Sequence, residues 1–462
     1  MRKERDFLGE LEIPDEAYYG VQTLRAMDNF HITGLTIDAD FVHALAMVKK
    51  AAAIANMRTG RLEPRIGDAL VQAAEDIISG KLDDQFELDP IQGGAGTSVN
   101  MNMNEVLSNR ALEIIGEAKG RYDIISPNNH ANMAQSTNDA FPTGIKVCLA
   151  KKSRMLIEAL ERLSVELDKK GEEFKDVLKV GRTHLQDAVP ITLGQEMHSY
   201  ASAVRRGTKR IKESLGGLHT INMGGTAIGT GLNAEPEYIK EVAHVLSDIA
   251  GDEFVTAENM IDGTNNTDVF ADVSAGLKVT ALVLTKMASD FRLMGSGPRC
   301  GFDEIKIPPR QPGSSIMPGK VNPVIAEVLN QVCYQVIAND VAVTLGVENG
   351  QLELNVMEPV IAFNLFNSIV YLTNAVNTFI DKLLKDLKAD EERCKFWMNY
   401  SICVVTALLP HVGYEKLSPL AKKSFETGRP IMDIVKEEKL LPDEDLERIL
   451  RPENMTTPGV VK

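Results

Sequence analysis

Four long segments carry apolar residues at helical spacing with almost no proline to interrupt them, and they restrict the fold more than anything else in the chain. In residues 141–180 the only proline is Pro142, and Leu149, Leu156, Leu160, Leu163 and Leu167 follow one another at intervals of 7, 4, 3 and 4. Those intervals place the five leucines on one helical stripe. Asp268–Met294 repeats the pattern through Val273, Leu277, Leu284, Met287 and Phe291, and residues 324–347 and 360–387 read likewise. Globular helices typically run about 8–20 residues, so segments of this length predict an all-α protein built around a long antiparallel bundle.

The 462 residues correspond to about three domains. Chain order divides them into a mainly helical N-terminal domain over 1–138, the long-helix bundle over 139–394 and a small helical C-terminal domain over 395–462. Residues 41–58 are Ala-rich, free of Pro and Gly, and predict a helix, and another starts near Thr97 after the loop IQGGAG. A net charge of −15 works against capture of nucleic acid or of an anionic membrane surface. The cysteines Cys148, Cys300, Cys333, Cys394 and Cys403 lack the spacing of a zinc site or a disulfide framework, which suits reduced thiols in the cytoplasm. The N-terminus mixes both signs of charge where a secretory signal needs an apolar run, and no segment reads as long enough to span a bilayer. A soluble cytoplasmic chain is expected.

Chemistry is expected at the breaks between helices. Residues 295–319 hold five glycines and five prolines, so the backbone cannot continue the preceding helix. A loop of that length in a compact domain is usually functional or disordered. Small polar residues cluster at four loop-to-helix junctions: residues 97–100 (TSVN), 135–138 (QSTN), 181–184 (GRTH) and 313–322 (GSSIMPGKVN). Hydroxyl and amide groups at such junctions suit a small anion without a metal or a phosphate loop. Helix capping accounts for the first two clusters taken singly. The fourth is different, because a cap needs one hydroxyl and this stretch supplies two serines, a lysine and an asparagine. Of the histidines, none pairs at i,i+4, so no dedicated metal site is expected. GGTAIGTG, at 224–231, has no apolar strand before it and reads as a turn, not a nucleotide loop.

GSSIMPGKVNP resembles the signature of the fumarase/aspartase superfamily, which also holds argininosuccinate and adenylosuccinate lyases. AYYGVQTLRAMDNF, GGAGTSVNMNMNEV, QSTNDAFPTG, GRTHLQDAVPITLGQE, GGTAIGTGLN and PENMTTPG agree with that family in order and spacing, so the resemblance covers essentially the whole chain. It implies an α-helical three-domain subunit in a homotetramer, each active site shared by three subunits, and a reaction that needs no organic cofactor. A proton leaves the carbon beside a carboxylate, the neighbouring carbon expels its substituent, and fumarate results. The enediolate on the way carries extra charge on one carboxylate, so the site must aim donors at charge that appears only during reaction.

By match to the family, Ser314 is the catalytic base, useful only if backbone N–H groups and a nearby cation stabilise its alkoxide. Lys320 supplies that cation and pairs with the substrate's α-carboxylate beside Asn322. Thr97, Ser136, Thr137 and Ser315 hold the carboxylate that becomes the enediolate, and Asn138 and Thr97 also reach the leaving amino group. Thr183 and His184 belong at the substrate's other end, with Glu327 orienting His184. Glycines in the 313–322 loop would let it close and exclude water.

Within the family, Thr137 stands where fumarases usually have a second serine, and Val324-Ile325 resembles the ammonia-releasing branch more than the Thr-Gln of fumarases. Loss of ammonia from L-aspartate is therefore the expected reaction, which makes the chain a carbon–nitrogen lyase. Loss of water from L-malate is the alternative, and a non-catalytic relative such as a lens crystallin is disfavoured because the full polar set is present. Ser126-Pro127-Asn128-Asn129 departs from the His-Pro-Asn-Asp of many members and loses the histidine of an accessory carboxylate site. GKVNP replaces the QKKNP or YKRNP of argininosuccinate and adenylosuccinate lyases.

Overall fold

The computed structural model describes residues 1–461, in which long helices dominate and strands occur only as two-stranded pairs among the described residues. The expected long segments are helices at Thr137–Glu173, Asp268–Met294, Val324–Glu348 and Glu358–Phe379. A fifth, Leu193–Ser214, was not marked by its sequence. Shorter helices at Ala39–Arg58, Pro64–Ile78 and Thr97–Ile114 precede them. The first of these begins where it does because the Asp38 carboxylate accepts from the backbone N–H groups of Asp40 and Phe41.

Two compact units divide the chain, and each draws on three separate stretches. The first comprises Met1–Ile157, Lys209–Thr280 and Gln335–Leu372; the second comprises Glu158–Thr208, Ala281–Tyr334 and Thr373–Lys462. In the first unit Asn339 donates to the Asn364 carbonyl (3.4 Å) and the Ser368 hydroxyl (3.0 Å), while a Cβ on Gly346 would lie 2.7 Å from Ile361. Partner numbers rise on one helix as they fall on the other, so Val324–Glu348 and Glu358–Phe379 run antiparallel there. The Phe41 ring packs edge-on against Phe141 at 5.2 Å and also meets Phe366. In the second unit Phe291 sits between Tyr200 (5.8 Å) and Phe379 (5.3 Å). A separate apolar cluster of Leu417, Ile431, Ile434, Val435, Leu446 and Ile449 organises the short C-terminal helices.

Two sequence expectations need correcting. The 27-residue stretch Glu358–Leu384 is long and apolar enough, by length and composition, to cross a membrane. Its apolarity serves the core instead, for Ile361, Leu365, Ile369, Leu372 and Leu383 are buried. The segment 141–180 also stops being helical at Glu173, and its end forms a hairpin of Leu178–Thr183 with Gln186–Thr192.

Candidate active site

Helix Thr97–Ile114 starts after Gly96, whose φ of +85° and whose missing Cβ, which would fall 2.5 Å from the Phe141 ring, demand glycine. No side chain caps this helix, so the expected capping role for Thr97 and Ser98 is not what they do, and Thr97 is exposed in the first turn. Asn100 and Asn104, on the same helix, are buried and both donate to the side-chain oxygen Oδ1 of Asn132, at 3.2 and 3.1 Å. Lys49 donates to that oxygen too (3.0 Å), and the Asn132 amide donates to the Gln135 carbonyl (3.2 Å). Asn132 thus ties the helix that begins at Thr97 to the residue before Ser136.

Residues 136–139 form a capping box at the start of helix Thr137–Glu173. The Ser136 hydroxyl accepts from the Asn138 N–H (3.2 Å), and the Asp139 carboxylate accepts from the Ser136 N–H (2.9 Å). Asp139 is fully buried, and its second oxygen accepts from the backbone N–H groups of Gly224 (3.1 Å) and Thr226 (3.0 Å). Burial pushes the Asp139 carboxyl up to about 7, against the pull of those donors and of Lys49. Burial likewise pushes the Lys49 ammonium down to about 7, with Asp139 opposing the shift. Thr137 is buried and Asn138 half-buried.

In the second unit Thr183 and His184 occupy the tip of a hairpin, not a loop between helices. Thr183 pairs with Gln186, which leaves His184 and Leu185 as a two-residue turn with φ of +54° and +59°. Such turns favour Asn and Gly. Placing a histidine and a leucine there costs about 1–3 kcal/mol each, and both side chains are exposed. No packing accounts for that cost, which favours a role in binding. Below the tip, Arg182 is spent on structure: it pairs with the buried Glu304 (2.8 Å) and lies 4.1 Å over the Phe302 ring.

The 313–322 stretch is an exposed loop tied to itself. Gly313 N–H donates to the Lys320 carbonyl (2.8 Å), and the Asn322 amide donates to the Gly313 carbonyl (2.7 Å). A Cβ on Gly313 would lie 2.7 Å from the Lys320 oxygen. The Ser314 hydroxyl oxygen accepts from the N–H groups of Ile316 (3.2 Å) and Met317 (3.0 Å). Two such donors are what a serine oxygen needs to carry negative charge. Ser315 and Lys320 are exposed, and no carboxylate pairs with Lys320 among the described residues. Glu327, half-buried in the first turn of helix Val324–Glu348, makes no hydrogen bond to His184 within the chain among the described residues.

The structure therefore places Thr97, Ser136, Thr137 and Asn138 in one unit and Thr183, His184, Ser314, Ser315, Lys320, Asn322 and Glu327 in the other. Residues 9–338 match a family model described as Lyase, and residues 404–457 match one described as Fumarase C C-terminus. The chain belongs to the fumarase/aspartase superfamily of lyases. The first match spans every candidate residue. Among relatives of this superfamily, the aspartate ammonia-lyase of Bacillus subtilis (strain 168) is 53% identical over 99% of this chain and 97% of its own length. That of Helicobacter pylori (strain ATCC 700392 / 26695) is 47% identical over 100% and 99%. A crystal structure of a fumarate lyase:delta crystallin from Brucella melitensis superimposes with a TM-score of 0.96 at 45% identity, covering 99% of this chain and 100% of that one. A class II fumarase from Schistosoma mansoni gives 0.96 at 36% identity, covering 99% of each. Sequence reasoning passed over Asp139, Lys49, Asn132 and Asn222. The first had a legible signal, since Ser136-x-x-Asp139 before an apolar run is a capping-box pattern.

Proposed function

We propose that the chain is an aspartate ammonia-lyase, converting L-aspartate reversibly to fumarate and ammonia. The observation that carries the reading is that relatives named for this activity match along the whole chain at 45–53% identity. A serine alkoxide at position 314 takes the proton from C3, and the electron pair it leaves moves onto the adjacent carboxylate as an enediolate. Collapse of the enediolate forms the C2–C3 double bond and breaks the C2–N bond, so nitrogen departs with its electron pair. The N–H groups of Ile316 and Met317 stabilise the alkoxide, and the exposed Lys320 is free to meet the α-carboxylate. Thr97, Ser136, Thr137 and Ser315 hold the reacting carboxylate, Asn138 and Thr97 also reach the amino group, and Thr183 and His184 stand at the substrate's other end, where the imidazole accepts from the amine. Asn322 holds the base of the 313–322 loop, which closes over the bound dicarboxylate and excludes water.

The reading includes a cytoplasmic homotetramer with sites shared by three subunits. Helix Val324–Glu348 supports it, because Tyr334, Ala338, Val341 and Leu345 stand exposed at intervals of 4, 3 and 4. Such a stripe is a helix-packing seam without a partner in the single chain. Ultraviolet monitoring of fumarate from L-aspartate and L-malate in parallel tests the function. Fumarate should form from aspartate, with malate inert; rapid conversion of malate with aspartate inert would make the chain a fumarase.

A further inference from the structure

The loop 222–231, read from sequence as a plain turn, is keyed to residues 138 and 139 by four hydrogen bonds, all within the first unit. The key begins with a proline. Pro142 lies inside helix Thr137–Glu173 and has no N–H for the carbonyl four residues back, which belongs to Asn138. The Asn222 side-chain amide supplies the missing bond at 3.0 Å. Asn222 is fully buried and is itself held, donating also to the Thr264 hydroxyl at 3.0 Å. The Asp139 carboxylate accepts from Gly224 and Thr226, and the fourth bond runs outward, from the Asn138 side-chain amide to the Ala227 carbonyl at 2.7 Å.

That last bond fixes which end of the Asn138 amide is which. A carbonyl oxygen can only accept, so the group facing Ala227 is the NH2, and Asn138 Oδ1 is left outward with no donor among the described residues. The loop is costly to hold in this form. Thr226 has φ of +56°, which a β-branched residue rarely adopts, and its buried hydroxyl has no partner. Gly229, at φ +89°, passes so close to Ile261 that a Cβ would lie 2.4 Å from its Cα. Strain of this kind persists where surrounding bonds over-determine it, and here those bonds converge on Asn138 and Asp139.

We propose that the 222–231 loop is a positioning element that holds the Asn138 amide with its carbonyl oxygen toward the substrate, so that this place in the site favours an ammonium over a hydroxyl. The inference rests on the reading that Asn138 meets the leaving group of aspartate. An ammonium offers only donors, and its bond to a carbonyl oxygen is charge-assisted, whereas a hydroxyl makes the weaker neutral bond. Asn222, Asp139 and the Ala227 carbonyl act through Asn138 and are positioning groups.

Two variants of the full-length enzyme test it. Asn222→Ala removes the donor to the Asn138 carbonyl, and Asp139→Asn sets an amide NH2 against backbone N–H groups that need an acceptor. Asn222→Ala should raise the KM for L-aspartate about tenfold, the loss of about 1.4 kcal/mol, and leave inhibition by succinate, which has both carboxylates and no amino group, within about twofold. Asp139→Asn, which also loses the acceptor of the Ser136 N–H, should raise the aspartate KM about tenfold more than the succinate constant. A merely structural role would weaken succinate and aspartate together, and that result, or an unmoved aspartate KM, overturns the proposal. Should neither variant assemble, the unaltered enzyme decides: L-malate should inhibit with a constant at least tenfold above the aspartate KM, and equal or tighter inhibition by malate refutes it. Absence of aspartate turnover in the unaltered chain would instead refute the proposed function, before any variant is made.

Discussion

Residues 136–139 hold their polar groups through buried partners, whereas residues 313–322 hold theirs through one another. In the first stretch Asp139 is fully buried and collects three backbone N–H groups from two segments, with Lys49 and Asn132 close behind. In the second, Ser314 is served by N–H groups two and three residues along its own loop, and the loop is closed by Gly313, Lys320 and Asn322. The first stretch cannot move without exposing a buried carboxylate, which costs far more than a surface hydrogen bond. The second can move as a body while keeping every bond that prepares Ser314. Under the proposed function this difference divides the labour: the buried stretch fixes what is bound, and the exposed loop delivers the base and closes.

The largest effect that would sharpen this contrast is loss of the proposed base. Ser314→Ala should lower kcat by about 10³-fold or more, with the melting temperature and assembly state unchanged, because the loop's closing bonds do not use that hydroxyl. Near-normal turnover would remove serine as the base and break the comparison at its active end. Next comes glycine-to-alanine made once in the 222–231 loop that holds the first stretch and once in the second stretch. Gly229→Ala, where a Cβ would overlap backbone atoms at φ +89°, should cost about 3 kcal/mol of stability. Gly313→Ala crowds only the neck of the exposed loop and should lower kcat about tenfold to a hundredfold with little change in melting temperature. Equal losses of stability would show that the two regions are not built differently.

The smallest effect is a pH dependence confined to the buried region. Burial lowers Lys49 from 10.5 to about 7, so between those values the unfolded chain holds a proton that the folded chain has lost. Stability from this group therefore rises with pH across that window, by at most about 1.4 kcal/mol per pH unit. The stability gap between the unaltered protein and Lys49→Met should shift in favour of the unaltered protein from pH 7.5 to 9.5. Denaturant titrations at both values check this, and a constant gap would contradict it.

Much of this contrast was legible in the sequence, and the reasons for the remainder are physical. The leucine stripe from Leu149 to Leu167 and the glycines and prolines of residues 295–319 gave away the bundle and the loop, because periodicity and backbone restriction are local properties. Ser314, Lys320 and Asn322 were visible together for the same reason. The 178–192 hairpin was hidden, since Thr183, His184 and Leu185 carry none of the Asn or Gly that usually marks such a turn. Asn222 was hidden differently: its task is to replace a bond that Pro142 cannot make, 80 residues away in sequence. Lys49 and Asn132 form part of a network whose members come from two helices and a turn far apart in sequence, and spacing along the chain says nothing of such meetings.

Deuterium exchange, read peptide by peptide with and without succinate, tests the division of labour most directly. The amides of Gly224 and Thr226, bonded to a buried carboxylate, should be protected in both conditions. Those across residues 313–320 should exchange quickly in the free protein and slow markedly at saturating succinate. Equal protection of residues 313–320 in both conditions, or fast exchange at Gly224 and Thr226 until ligand is added, would contradict the account.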